Sequence, residues 1–405
     1  MKVLFLCGAF DEVNQKEVIA HAKAPIEFSA NTFQQRIING FKHCDCDFRM
    51  LSAPFLGSFP NASDILMFKG FEASPVGYCY VPFNNIWGLR NYSRANSVKH
   101  KLNEFIVADD SEKLIVVYSP HTPFLEAAVY AKKRDSRIKI CLIVPDLPQY
   151  MNLNDKQSLL YKIGKKYDIS RFNRFNRYTD SFVLLTEPMN DVVNLQHRPY
   201  CVCEGIVDRI QLENYNEETI SNHKQSVKYI VYTGKLIKKF GIEMLIDAMQ
   251  LMTDSNIRLV ICGSGDSADY IKKAAVKDNR ILFKGQVTPK EAKKWMMQAD
   301  VLVNPRPDNE TYTRYSFPSK NIEYLLTGNP VVAFVLPGMN RIYSNFFFKI
   351  SENSPEGIRS AVIAALNASD QEKAVKRQEV FSYFRNHLTS EAFCRQILEM
   401  NKDCS

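Results

Sequence analysis

Two loops in the C-terminal half of the chain hold residues that suit an anionic ligand. The first, residues 234–241, follows an apolar run at 229–233 and contains Lys235, Lys238 and Lys239. The three lysines repel one another unless an anion lies between them, and lysine is a good point-charge partner for phosphate. The loop is therefore a candidate phosphate site, although a solvated loop ahead of an amphipathic helix has the same composition.

The second loop leads into a helix predicted at residues 319–327. Ser319 follows Pro318 and is a good N-cap residue, and the free N–H groups of a helix N-terminus suit a phosphate. Lys320 places a cation in the first turn, which the helix dipole disfavours unless an anion is near. Glu323 lies one turn on, where a carboxylate can accept hydrogen bonds from a ribose diol. Together these residues favour a ligand site. The alternative is that Glu323 is only a first-turn acid stabilised by the helix dipole.

Between these two loops, Gly263-Ser264-Gly265-Asp266 follows an apolar run at 257–262 and, with Ala268, matches G-x-G-x-x-A. A nicotinamide site requires this motif after the first strand of a domain, with an acid about 20 residues later. Here the motif follows the second strand of its half, and no suitable acid comes after it. The sequence therefore leaves two interpretations of this segment open: a loop that a ligand approaches closely, or a plain tight turn.

Strand and helix patterns alternate along the chain and would position these loops. The strands predicted in the first half are 2–7, 47–51, 65–69, 114–118, 138–144 and 181–185. After residue 226 the pattern restarts, with strands at 229–233, 257–262, 281–284, 301–304 and 330–335. Apolar strands that alternate with helices predict parallel sheets covered on both faces, here an α/β protein with two Rossmann-like domains in tandem. Such sheets bind ligands beyond the carboxyl ends of their strands, so we expect a central cleft between two facing domains.

The domain limits follow from a polar segment without a clear period. We predict an N-terminal domain at 1–207, a hinge at 208–226, a C-terminal domain at 227–385 and a C-terminal helix at 386–405. The segment 371–402 has a helical, charged pattern, and we expect it to pack back across the hinge. A length of 405 residues suits two cores of ordinary size.

Composition narrows the class of protein. A hydrophobic fraction of 45% and a charged fraction of 24% are typical of a globular chain. The ten cysteines are scattered, without the spacing of a zinc site, and we expect them to be reduced. No apolar run suits a signal peptide or a spanning helix, so a cytoplasmic protein is expected. The net charge of +8 is spread along the chain without a nucleic-acid-binding motif, so no nucleic-acid partner is expected.

Basic and aromatic residues interleave at 161–178, a helical stretch that begins at Tyr161 and Lys162 and ends at Arg177 and Tyr178. Such a stretch can rest on an anionic membrane surface, here the inner face of the inner membrane. A solvated helix packed by its aromatic side chains has the same pattern.

In order and spacing, these motifs resemble those of glycosyltransferase family 4 and its GT-B relatives, over nearly the whole chain and most clearly at 229–335. The matching segments are Tyr232-Thr233-Gly234-Lys235-Leu236 with Lys239-Phe240-Gly241, Val260 to Gly265, Phe283 to Val287, and Tyr315 to Gly328 with Pro330-Val331-Val332-Ala333. The amino-acid sequence from Tyr315 to Lys320 is similar to that of bacterial capsular, exopolysaccharide and O-antigen transferases. The resemblance implies a retaining GT-B enzyme.

The resemblance also implies roles for particular residues. Lys235 would contact the donor diphosphate and Glu323 the ribose. The full donor-binding set is Gly8, Gly234, Lys235, Lys239, Gly263, Gly265, Gln286, Val287, Tyr315, Ser316, Phe317, Pro318, Ser319, Lys320 and Glu323. Two positions depart from the family: Tyr315 replaces the first acid of its E-x7-E motif, and Phe240 replaces a loop lysine whose charge Lys239 or Lys320 would supply.

Three further candidates end strands of the first half. Family members often place a His or Asp after the strand predicted at 138–144, and Asp146 takes that position; a turn-forming Asp between prolines is the alternative. Gly8 would let backbone approach the bound sugars. His121 follows the strand at 114–118. The catalytic set implied is Asp146, Lys235 and His121.

The function expected from the resemblance is transfer of a sugar from a nucleotide sugar to a glycan acceptor, lipid-linked as for many such enzymes, with retention of configuration, during surface polysaccharide synthesis. No D-x-D triplet lies in a suitable loop, so neither a metal nor another cofactor is expected. A sugar-nucleotide epimerase of the same fold and a non-catalytic sugar-nucleotide-binding protein are the alternatives.

Overall fold

The computed structural model describes residues 1–11, 18, 20–23, 28–73, 78–106, 109, 111–147, 159–213 and 226–402. The chain divides into two compact units. The N-terminal unit comprises Met1–Leu185, Met189–Ile206 and Thr389–Ser405, and the C-terminal unit comprises Thr186–Pro188 and Val207–Leu388. The last helix of the chain therefore belongs to the N-terminal unit.

An eight-stranded sheet forms the core of the N-terminal unit, in the order β10-β9-β8-β7-β1-β2-β5-β4. Its strands are β1 (Lys2–Cys7), β2 (Asp47–Ser52), β4 (Phe71–Ala73), β5 (Tyr78–Tyr80), β7 (Lys113–Tyr118), β8 (Lys139–Val144), β9 (Ser181–Leu184) and β10 (Tyr200–Val202). Neighbouring strands are parallel except β4, which is antiparallel to β5. All six residues of β7 are buried, as expected for a strand covered on both faces.

The C-terminal unit has a six-stranded parallel sheet in the order β13-β12-β11-β14-β15-β16. Its strands are β11 (Lys228–Thr233), β12 (Ile257–Cys262), β13 (Ile281–Gly285), β14 (Val301–Asn304), β15 (Val331–Ala333) and β16 (Phe348–Lys349). Strand order reverses between β11 and β14, which pair through Ile230 with Val301 and Val231 with Leu302. The carboxyl ends of these two strands thus form the switch point at which such sheets bind ligands.

Helices connect the strands. In chain order they are α1 (Phe28–Lys42), α2 (Arg90–Leu102), α3 (Thr122–Arg134), α4 (Leu159–Asn176), α5 (Arg209–Glu213), α6 (Ile242–Gln250), α7 (Ala268–Lys277), α8 (Pro289–Met297), α9 (Ser319–Leu325), α10 (Tyr343–Phe346), α11 (Pro355–Asn367), α12 (Asp370–Tyr383) and α13 (Ser390–Met400). Within the described part of the chain, none of them has the length and apolar character needed to cross a bilayer.

One predicted strand was wrong in detail, and most of the predicted hinge lies outside the described residues. The strand expected at 65–69 is only β3 (Met67–Phe68), which pairs antiparallel with β6 (Phe83–Asn84) outside the main sheet. The expected hinge includes helix α5, while residues 214–225 lie outside the described residues. The pairing of β3 and the helix in the expected hinge could not be read from an apolar or polar run, because both depend on the residues that each segment contacts in the fold.

The helical pattern at 371–402 is also interrupted. Helix α12 ends before a five-residue π-helical turn at Phe384–Leu388, and Thr389 caps the start of α13 by accepting a hydrogen bond from the Ala392 N–H at 3.3 Å. Helix α13 then packs on α1, so closely that a Cβ on Gly40 would lie 2.2 Å from the Ser390 carbonyl oxygen. The C-terminal helix accordingly contributes to the core of the N-terminal unit.

Candidate functional site

Two glycine loops pack against each other at the carboxyl ends of β11 and β12 in the C-terminal sheet. The Leu236 N–H, in the loop after β11, donates to the Ser264 carbonyl in the loop after β12 at 2.9 Å. A Cβ on Gly263 would lie 1.8 Å from the Gly234 carbonyl oxygen, so this position excludes any side chain. A Cβ on Gly265 would approach the Leu236 carbonyl oxygen to 2.3 Å. Contact between the loops therefore requires these glycines, whether or not a ligand also approaches them.

The lysines of the β11 loop differ in their surroundings. The ammonium group of Lys238 pairs with Glu243 at 3.0 Å. Lys235 and Lys239 are exposed, and neither side chain forms an ion pair or a hydrogen bond with another described residue. Two of the three loop cations are thus available to an anion, and Lys235 and Lys239 are the two predicted from the sequence.

Arg306 is a further candidate, which the sequence analysis missed. It follows Pro305 directly after β14, and its guanidinium carbon lies 4.8 Å from the ring centroid of Phe240 and 4.9 Å from that of Tyr312. One terminal nitrogen donates to the Ser316 hydroxyl at 3.1 Å, while Nε is buried without a hydrogen-bond partner. Its position between two prolines immediately after a switch-point strand was the signal available in the sequence.

Burial lowers the pKa of Arg306, but an arginine remains protonated at neutral pH. None of the described carboxylates forms an ion pair with it. Removing a cation from water without an acidic partner is unfavourable, and a bound anion would compensate for that loss. The environment of Arg306 therefore favours an anionic ligand at the carboxyl end of β14.

Buried polar contacts fix helix α9 to the ends of β11 and β14. The Tyr324 hydroxyl accepts a hydrogen bond from the Thr233 N–H at 2.8 Å and donates to the Thr233 carbonyl at 3.1 Å. The Asn304 side-chain amide donates to the side-chain oxygen of Asn321 at 2.6 Å. Burial raises the pKa of Tyr324, so the hydroxyl stays neutral and can serve as both donor and acceptor.

The segment leading into α9 differs from the sequence prediction in two ways. Pro318, rather than Ser319, is the N-cap residue, and no side chain caps this helix. The ammonium group of Lys320 lies 2.7 Å from Glu323 Oε2, so the first-turn cation already has an acidic partner. Lys320 therefore does not need a bound anion to balance its charge, and it pairs instead with Glu323, the residue predicted to bind the ribose.

The other predicted donor-binding residues around α9 have different surroundings. Phe317 is buried with its ring 5.2 Å from that of Tyr343, so it packs in the core and its side chain is not free for a ligand. Ser316 is the hydrogen-bond acceptor for Arg306. Tyr315 is partly exposed, with its ring centroid 6.0 Å from the Arg314 guanidinium carbon.

Gln286 and Val287 directly follow β13, where the preceding Gly285 carbonyl accepts a hydrogen bond from the Gly263 N–H at 2.7 Å. This bond joins the end of β13 to the glycine loop after β12. Gln286 is exposed and Val287 partly exposed. The structure thus brings Gly263 and the predicted nucleobase-lining segment together at the same edge of the sheet.

In the N-terminal unit, Gly8, His121 and Asp146 follow β1, β7 and β8, which are neighbours in the sheet. The Gly8 N–H donates to the Gln34 side-chain oxygen at 2.8 Å. A Cβ on Gly8 would lie 2.5 Å from the ring of Phe55, so an aromatic side chain covers this glycine. The three predicted residues therefore share one sheet edge.

His121 is packed between aromatic rings, with centroid distances of 5.2 Å to Phe55 and 4.5 Å to Phe124. Its Nδ1 atom is buried without a hydrogen-bond partner. Burial, followed by the positive charges of Arg94 and Arg90, lowers the pKa of His121 well below its usual value, so the imidazole is neutral at pH 7. A neutral imidazole can accept a proton or a hydrogen bond but carries no positive charge.

Asp146 is exposed at the end of β8. Burial and, to a lesser extent, the negative charge of Asp146 raise the pKa of the Tyr118 hydroxyl on β7. Pro148 to Tyr150, the rest of this predicted segment, lie outside the described residues.

Comparison with known proteins supports a glycosyltransferase. Residues 227–368 match the family model described as "Glycosyl transferases group 1". An uncharacterized glycosyltransferase of Methanocaldococcus jannaschii is 33% identical over 119 residues, which are 28% of this chain and 29% of the relative. The chain thus matches less than a third of the length of this curated relative.

Solved structures resemble the whole chain. The Anabaena protein HepE, solved in complex with UDP, gives a TM-score of 0.61 at 15% identity and covers 98% of this chain and 99% of its own. The lipopolysaccharide outer core galactosyltransferase WaaB gives 0.63 at 12% identity, with coverage of 98% and 99%. At such identities the likeness shows only the fold. The chain therefore has the α/β fold of GT-B glycosyltransferases with two Rossmann-like domains, and the group 1 domain at 227–368 supports a transferase enzyme.

Proposed function

We propose that the protein transfers a sugar from a nucleotide-sugar donor to a hydroxyl group of a glycan acceptor, with retention of anomeric configuration. The observation that carries the proposal is the set of cations without acidic partners at one sheet edge: Lys235 and Lys239 after β11, and Arg306 after β14. A nucleoside diphosphate supplies the anion that these three groups lack.

The group 1 domain at 227–368 contains all three cations. HepE, whose fold is similar, was solved with UDP and also with UDP and glucose. Both facts support a nucleotide sugar as the donor of this chain, bound with its diphosphate at the β11–β14 switch point.

During transfer, the bond between the anomeric carbon and the diphosphate oxygen breaks, and that oxygen keeps the electron pair. The acceptor oxygen forms a new bond to the anomeric carbon and, after the old bond has broken, passes its proton to the released diphosphate. Negative charge therefore grows on the departing diphosphate, and Lys235, Lys239 and Arg306 stabilise it because they are already in place. We propose that these cations make a metal ion unnecessary.

Glu323 is the proposed ribose ligand. Lys320 contacts one oxygen of its carboxylate, Oε2, at 2.7 Å. The other oxygen, on a half-exposed side chain, can accept a hydrogen bond from a ribose hydroxyl. The buried contacts of Tyr324 one residue later hold the helix that presents this group.

His121 and Asp146 are the proposed acceptor-side residues. Asp146 offers an exposed carboxylate for sugar hydroxyl groups. His121 offers a neutral hydrogen-bond acceptor, which carries no net charge. WaaB is named a lipopolysaccharide galactosyltransferase. Together with the sequence resemblance, this supports a lipid-linked glycan acceptor and a role in surface polysaccharide synthesis at the cytoplasmic face of the inner membrane.

The test is to incubate the purified protein with a panel of UDP-, GDP- and dTDP-sugars, and to follow nucleoside diphosphate release and the sugar product by NMR. Slow hydrolysis of one donor to a free sugar of the same anomeric configuration is expected. Interconversion of sugar nucleotides would instead identify an epimerase, and binding without turnover of any donor would identify a binding protein.

A further inference from the structure

The N-terminal unit has a cluster of large apolar side chains that face solvent. Their exposed fractions are 52% for Leu66, 51% for Met67, 70% for Trp87, 55% for Leu89 and 68% for Tyr92. Scattered exposed apolar residues are ordinary, whereas several in one place indicate an interaction surface. We call these five residues the hairpin face.

The five residues belong to one small substructure. Met67 lies on β3 opposite Asn84 of β6, and the Leu66 carbonyl accepts a hydrogen bond from the Asn85 N–H at 2.8 Å. Trp87 and Leu89 occupy the turn that follows, and Tyr92 lies in the first turn of α2. The Asn84 N–H also donates to the Ser93 hydroxyl at 2.9 Å, which joins the hairpin to that helix.

Buried contacts hold the substructure in place. The Phe68 and Phe83 rings stack at 5.2 Å, and the Arg94 guanidinium lies 4.2 Å from the Phe83 centroid. Arg94 also donates to the Pro54 carbonyl at 2.5 Å, and buried Asn85 donates to the Gly57 carbonyl at 2.7 Å. The apolar side chains therefore project from an ordered frame.

Basic residues outnumber acidic ones around the hairpin face. Residues 64–72 and 78–103 contain the acids Asp64 and Glu72 and the basic residues Lys69, Arg90, Arg94, Lys99 and Lys101, of which Arg94 is buried. Lys99 and Lys101 pair with Glu126 and Glu104. Lys69 is exposed, and neither it nor Arg90 pairs with a described carboxylate. The surroundings thus attract an anionic partner.

We propose that the hairpin face docks on an anionic lipid bilayer. Trp and Tyr place an apolar ring and a polar group at the boundary between head groups and acyl chains, and Leu and Met contribute apolar area. Neighbouring cations add attraction to anionic lipids, the second signal that stable peripheral binding requires. This inference goes beyond the proposed sugar transfer and does not depend on it.

The structure favours this face over the basic stretch at 161–178. In that stretch Arg171 forms an ion pair with Glu126 and Phe172 is buried, so part of its charge and aromatic surface is used within the protein. Tyr167 remains exposed there and provides a matched control.

The two tryptophans of the chain permit a direct test. In a Trp295→Phe variant, Trp87 is the only indole, and Trp295 lies in the C-terminal unit beside Lys284. We expect vesicles of phosphatidylcholine with phosphatidylglycerol to shift the Trp87 emission to shorter wavelength, and brominated acyl chains to quench it. Vesicles of phosphatidylcholine alone should have a much smaller effect, and high salt should weaken binding. Vesicle binding without a change in Trp87 emission, or no vesicle binding at all, would overturn the proposal.

A second measurement uses cosedimentation with the same vesicles. We expect Trp87→Ser with Tyr92→Ser to lower partitioning by about tenfold or more, because two interfacial rings are lost. The control variant, Tyr167→Ser with Val276→Ser, should bind like the wild type. Trp87→Phe with Tyr92→Phe retains both rings and should retain most binding, which separates the effect from misfolding. Equal partitioning of the Ser variants and the control would contradict the proposal, and donor hydrolysis should be unchanged in all of them in the absence of lipid.

Discussion

Replacement of Arg306 by methionine separates a ligand-binding role from a structural one. Methionine retains an apolar stem between the rings of Phe240 and Tyr312. It loses a hydrogen bond to Ser316, worth about 1 kcal/mol, and cation–π contacts of about 0.5–1 kcal/mol each. It also removes the buried, unpartnered Nε, a gain of about 1–3 kcal/mol. We therefore expect the free energy of unfolding to change by only about 1 kcal/mol.

The same substitution should have a large effect on catalysis. A hydrogen bond to a charged group contributes about 1.5–3 kcal/mol. If Arg306 contacts the donor diphosphate in the transition state, its loss should lower kcat/KM by roughly 10- to 150-fold. Arg306→Lys restores the charge without the planar fork and should recover only part of this loss.

The assay is donor hydrolysis with the best sugar nucleotide, paired with urea unfolding of the same samples. Unchanged kcat/KM in a folded Arg306→Met protein would refute the assignment of Arg306 to the donor site. A loss of activity that parallels a loss of stability would also refute it, because the residue would then act only through the fold.

Four other results are expected. Lys235→Ala should lower kcat/KM for the donor by about tenfold or more, whereas Lys238→Ala, which removes a cation already paired with Glu243, should change it by less than about threefold. Tyr324→Phe should lower the free energy of unfolding in urea by about 1–3 kcal/mol, because the buried Thr233 N–H loses its acceptor. Because the pKa of His121 is lower in the folded than in the unfolded protein, the unfolded protein takes up this proton first as pH falls. Stability should therefore decline below pH ~6.5 by up to about 1.4 kcal/mol per pH unit, and less in His121→Gln; identical pH dependence of the two proteins would contradict this. EDTA should leave donor hydrolysis unchanged, and activity lost with EDTA and restored by a divalent cation would show that the transfer needs a metal.

Much of the fold could be predicted because the strands carry their own signal. The strands expected at 229–233, 257–262 and 301–304 coincide closely with β11, β12 and β14, since buried parallel strands are nearly continuous apolar runs. The isolated apolar segment at 65–69 was misassigned, because the same pattern fits a short strand that pairs with β6 outside the main sheet. Residue types cannot distinguish the two without knowledge of what packs on each face.

At the candidate site, the sequence indicated positions, and the structure describes their surroundings. Lys235 and Lys239 follow a strand end and are exposed without an acidic partner, and their role as diphosphate ligands stays a prediction. Phe317 was assigned to the ligand but is packed on Tyr343, and the cation of Lys320 is satisfied by Glu323. Arg306 was missed because its burial and its lack of an acidic partner depend on residues far away in the chain.

The sequence by itself determined the α/β class and the tandem arrangement and indicated the loops proposed to bind the donor, because these depend on local periodicity and on glycines and charges at strand ends. Only the tertiary structure decided the strand order that brings β11 beside β14, the packing of α13 in the N-terminal unit, and the exposure of Trp87 and Met67 near the β3–β6 pair. The physical reason is that burial and the pairing of charges are properties of neighbours in space, which a linear pattern does not specify.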